Sequence, residues 1–76
     1  MPKLPVVSRL EAVKALQSAG FVLRRQSGSH IVLTNPEGPR QVSVPVHGGR
    51  DLKLGTLRAI IRDAGLTIEA FQRRLR

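Results

Sequence analysis

The spacing of apolar residues changes twice along this chain, and those two changes restrict the folds open to it. Leu10, Val13 and Leu16, widened by Ala12, Ala15 and Ala19, recur with helical spacing. His30 to Thr34 is rich in β-branched residues, and Val42, Val44 and Val46 alternate onto one side, as strands do. Leu54, Leu57, Ile60, Ile61 and Ala64 then return to the helical period. A chain of 76 residues has room for one core, so a single domain over residues 1–76 is expected. The pattern predicts an α+β fold: helix, three-stranded antiparallel meander, helix, short helix.

Local chemistry sets the boundaries. Ser8-Arg9-Leu10-Glu11 has the capping-box pattern, so the first helix is expected from Arg9 to Ala19, with Gly20 as its stop. Strands are expected at 21–26, 30–34 and 40–46. Ser27-Gly28-Ser29 and Asn35-Pro36-Glu37-Gly38-Pro39 supply the turns. Pro45 has no N–H to donate, which suits an edge strand or a strand end. Asp51 is placed to cap the second helix, Gly65 to end it, and Thr67 to cap a short helix carrying Ile68, Phe71 and Leu75. A sheet this small needs one face covered. The two long helices are expected on the valine face, leaving the other face open.

Charge then says what such a surface meets. Thirteen Lys and Arg oppose five Asp and Glu, a net of +8, and ten of the thirteen are Arg. Arginine suits planar, bidentate phosphate contacts, so a nucleic acid or an acidic protein partner is expected. Two Phe and no Tyr or Trp argue against an aromatic platform for stacked bases. The absence of cysteine excludes disulfides, thiolate metal sites and a cysteine nucleophile. The first residues, Met1-Pro2-Lys3-Leu4-Pro5, are too Pro-rich for an apolar targeting core, and no membrane span is evident. A cytoplasmic protein is expected.

Catalytic residue types are few. Glu11, Glu37, Asp51, Asp63 and Glu69 show no metal-site or acid/base spacing, and the two His, 30 and 47, lack a nearby third ligand. No metal or other cofactor is expected. His30 follows Gly28-Ser29 at a hairpin tip, with Arg24 and Arg25 just before. If Ile31 and Leu33 face the core, alternation turns His30 outward with Val32 and Thr34. Imidazole changes protonation nearest neutral pH, and RNA carries its own nucleophile in the 2′-hydroxyl. An outward His30 therefore reads either as a general acid/base for RNA cleavage or as a surface residue bonding its own turn. His47-Gly48-Gly49 leads into the second helix, where backbone N–H groups could hold an anion, with Lys53 and Thr56 touching phosphate oxygens. Arg58 and Arg62 could extend that track. The same segment also reads as a plain turn beside a solvated face.

With these residues assembled, the chain resembles the HicA family of toxins from bacterial and archaeal toxin–antitoxin pairs. Four stretches carry the resemblance: Ala19-Gly20-Phe21, Arg25-Gln26-Ser27-Gly28-Ser29-His30, Val44-Pro45-Val46-His47-Gly48-Gly49 and Leu54-Gly55-Thr56-Leu57-Arg58. Each is weak alone, but their shared order and spacing are specific. The resemblance implies a double-stranded-RNA-binding-like fold, α-β-β-β-α, and an mRNA-cleaving ribonuclease that arrests translation. It places the essential histidine at His30 and implies a HicB-type antitoxin that covers the active surface, in assemblies whose size stays open. The position before Gly28, often basic in relatives, is Ser27 here. Arg24, Arg25, Gly28, Ser29, His47, Lys53 and Thr56 are then expected to hold RNA, with His30 catalytic. A non-catalytic double-stranded-RNA-binding module is the alternative, and a basic module for an acidic protein partner is a third.

Overall fold

The computed structural model describes residues 4–46 and 49–75. The elements follow the expected order: α1 (Arg9–Ser18), β1 (Val22–Gln26), β2 (His30–Thr34), β3 (Gln41–Pro45), α2 (Leu54–Asp63) and α3 (Ile68–Arg73). The strands form one antiparallel meander in the order β1-β2-β3.

The capping box at α1 is complete. The Glu11 backbone N–H donates to Ser8 Oγ at 3.1 Å, and the Ser8 N–H donates to Glu11 Oε1 at 2.9 Å. These bonds from the Ser8 backbone and hydroxyl, with the nearby Arg50 charge, hold the Glu11 carboxyl below the usual carboxylate range. Both long helices end the same way. Gly20 and Gly65 take positive φ, +101° and +73°, where a side chain would be strained. Phe21 N–H then reaches back to Leu16 O, and Leu66 N–H to Ile61 O. Thr67 caps α3, accepting the Ala70 N–H at 3.0 Å.

Two sequence expectations are corrected. Leu10 is 62% exposed. The buried face of α1 is Ala12, Val13, Ala15 and Leu16, and Leu10 lies roughly 140° around the helix from its centre, at 3.6 residues per turn. Asp51 does not cap α2: Lys53 holds the cap position, without a side-chain bond. Asp51 instead forms a bridge with Ser8, and Leu52 N–H donates to Val7 O, tying the entry of α2 to the entry of α1. Pro45 is the last residue of β3, an edge strand, where its missing N–H costs no ladder bond.

The core has two parts. Val13, Leu16, Phe21, Leu33, Val42, Val44, Ile60 and Ala64 pack between the helices and one sheet face. Val7, Ala12, Ala15, Leu57, Ile61 and Phe71 pack behind them, with α3 contributing Phe71. Cross-strand pairs Ile31–Val44 and Leu33–Val42 define the inner side of the sheet. Among the described residues no helix packs its core residues against the outer side, where His30, Gln41 and Ser43 are exposed. No helix among the described residues is long and apolar enough to cross a membrane.

Candidate active site

The open face is built by register. His30 pairs with Pro45, Val32 with Ser43, and Thr34 with Gln41, so these six residues share the side opposite the core. On the other flank β1 is irregular. Leu23 pairs with Leu33, but the next pair is Arg25 with Val32, leaving Arg24 as an extra residue. This β-bulge has a chemical effect. A regular ladder would pair Arg25 with Ile31 and turn it toward the core. The extra residue instead places Arg25 beside Val32, on the face of His30, and alternation from Leu23 carries Arg24 there too. Both arginines are exposed, and no described ion pair or hydrogen bond occupies them.

Ser27, Gly28 and Ser29 form the tip between β1 and β2. Ser27 N–H donates to His30 O at 2.8 Å. Ser27 Oγ accepts the N–H of His30 at 3.0 Å and that of Ser29 at 3.3 Å. Thus Ser27 fastens the backbone of His30. Ser29 Oγ lies 3.1 Å from His30 Nδ1, and Ser29 O accepts the Val46 N–H at 2.9 Å. One ring nitrogen is thereby engaged within the hairpin, and Nε2 has no described partner. Gly28 has neither positive φ nor any atom within 4 Å of where a Cβ would stand. The fold itself gives no reason for glycine there, whereas a ligand approaching closely would.

Arg25, Ser27, His30, Val32, Gln41 and Ser43 line a shallow hollow on this face. The structure therefore brings together Arg25 and His30, with Ser29 bonded to the ring. Lys53 and Thr56 stand at the start of α2 and do not line the hollow. His47 lies outside the described residues. Gln41 and Ser43 were not expected as site residues. The signal was present, since Val42 and Val44 facing inward oblige their neighbours to face out. Among the described residues, no three His, Asp or Glu side chains gather into a metal-binding group.

The family model of the HicA toxin of bacterial toxin–antitoxin systems matches residues 10–66, three quarters of the chain. The chain belongs to the HicA toxin family. Comparison with curated proteins finds no match. Membership of the HicA family makes the chain the toxin of a toxin–antitoxin pair, with an antitoxin as its protein partner. The match runs from the first turn of α1 to just past Gly65, so it includes the whole sheet, the hairpin tip and α2, but not α3.

Proposed function

We propose that this HicA-family toxin is an endoribonuclease that cuts mRNA in the cytoplasm and arrests translation, with His30 as its general acid/base. The observation that carries this reading is the placement of His30. Its Nδ1 is held by Ser29 Oγ, its ring stands on the open face, and two unoccupied arginines share that face. His30 Nε2 takes the proton of a ribose 2′-hydroxyl as that oxygen attacks the adjacent phosphorus. The P–O5′ bond breaks, and the departing oxygen takes a proton from solvent, to which the His30 imidazolium gives up its own, leaving a 2′,3′-cyclic phosphate and a 5′-hydroxyl. Arg24 and Arg25 offset the growing charge on the phosphate oxygens. Gly28 leaves room for the backbone, while His47, Lys53 and Thr56 hold flanking phosphates. Because the nucleophile comes from the RNA, no step runs through a metal. The antitoxin, of HicB type, covers the same basic face and excludes RNA from it.

Incubation of the pure protein with end-labelled RNA tests the reading. Fragments ending in cyclic phosphate are expected, with and without EDTA. Strict metal dependence would overturn the mechanism, and RNA retention without fragments would favour a non-catalytic double-stranded-RNA-binding module. Ser29 gives a finer test. In this scheme it acts through the ring and does not contact phosphate. Ser29→Ala is expected to lower kcat about tenfold, as the loss of one hydrogen bond allows. RNA affinity stays unchanged, and Ser29→Thr restores the rate. A fall in affinity at constant kcat would show that Ser29 holds phosphate instead.

A further inference from the structure

Val32 is the odd member of the open face. It is apolar, on the central strand, and only 9% exposed although no helix lies over it. Arg25 is paired with it on one flank and Ser43 on the other. The hollow they form has two chemically different ends. Arg25, Ser27 and His30 occupy one, where an anion is favoured. Gln41 occupies the other, and Ser43 stands midway, across Val32 from Arg25; both side chains can donate and accept hydrogen bonds. Val32 is the floor between the two ends. No carboxylate lines any part of it. Gln41 pairs with Thr34, four residues from His30, so the hollow extends about 13 Å along the strand, at a rise of roughly 3.3 Å per residue.

An anion end, an apolar floor and a donor–acceptor end in that order match a phosphate, a ribose with its base, and the base edge. We propose that this hollow is a subsite for one unpaired ribonucleotide beside the scissile phosphate, its base edge read by Gln41 and Ser43. The inference rests on the ribonuclease reading and goes further by naming the substrate state. A base inside a duplex has its pairing edge occupied and its faces stacked, so it cannot enter. The fold resembles a double-strand binder, yet the cut falls at a single-stranded position. Without aromatic residues, the preference comes from edge hydrogen bonds and is graded: several-fold to about tenfold between bases.

Two measurements test it. In the first, the His30→Ala protein is titrated with the four ribonucleoside 3′-monophosphates and with inorganic phosphate, following backbone amides by NMR. Shifts at Val32, Gln41 and Ser43 are expected, with affinities differing at least threefold among the bases and levelled by Gln41→Ala. Equal affinities for all four and for inorganic phosphate would overturn the proposal and leave a bare anion site. In the second, wild-type protein is given one RNA sequence as a single strand and as a perfect duplex. The single strand is expected to be cut at least tenfold faster, and Gln41→Glu, which removes the amide donor, is expected to change the base found next to the cut. Equal cutting of both forms would overturn it. If the wild type cuts neither, the ribonuclease reading fails, and the titration alone decides the subsite.

Discussion

Replacing His30 with alanine is expected to slow RNA cleavage at least about 100-fold, the lower bound for losing a positioned general acid–base group. Growth arrest on expression should disappear with it. The fold should not change. His30 is exposed, its ring bonds only Ser29, and the backbone bonds that fasten it to Ser27 do not involve the ring. An exposed substitution of this kind moves stability by about 0.5 kcal/mol or less, so the unfolding temperature should stay within about 4 °C of wild type. RNA affinity should persist through Arg24, Arg25 and the other cations. Initial rates on labelled RNA, a thermal melt and a binding titration on the same preparation make the comparison. Wild-type rates from His30→Ala would remove His30 from the mechanism. Loss of both rate and binding would make it a contact residue.

The second large effect concerns a residue far from the open face. Phe71 is the largest fully buried side chain, at 0% exposure, packed with Val7, Ala12, Ala15, Leu57 and Ile61. Truncating a buried Phe to Ala costs about 3–5 kcal/mol. A 76-residue domain has a total of about 4–11 kcal/mol, at roughly 0.05–0.15 kcal/mol per residue. Phe71→Ala should therefore lower the unfolding temperature by at least about 12 °C and leave much of the protein unfolded at growth temperature. Circular dichroism melts check this directly. A fall under about 5 °C would make α3 an ornament on a core complete without it. The outcome matters because α3 lies beyond the segment that matches the HicA family, yet it closes the rear half of this core.

Much of this architecture was legible in the residues. Ser8 and Glu11 announced the start of α1, Gly20 and Gly65 the ends of the long helices, and Thr67 the start of α3, because each signal acts within one turn of itself. The valines at 42 and 44 announced the inner sheet face, and His30 could be placed opposite by counting. Misreadings came where distance mattered. Leu10 has helical spacing to Val13, but spacing alone does not say which side of a helix meets the sheet. Asp51 has the chemistry of a cap, but the pairing of residues 50–52 with residues 7–9 fixes it elsewhere. The hollow was hidden for the same reason: Arg25, Val32 and Ser43 are neighbours only after two strand registers are set. Ser27 is legible as a turn residue, but its bonds to the His30 backbone belong to a turn geometry that three letters do not specify.

The bulge in β1 also bears on how an alignment of this strand is read. On a regular strand only every second residue meets the same partner, so two consecutive arginines would be split between solvent and interior. Here the strand carries one residue more than its neighbour, and the surplus brings both arginines to one side. Shortening the strand by that one residue would restore an ordinary ladder without disturbing any other pair. A one-residue gap opposite Arg24 in a relative therefore marks one arginine fewer on the open face, with the ladder otherwise unchanged.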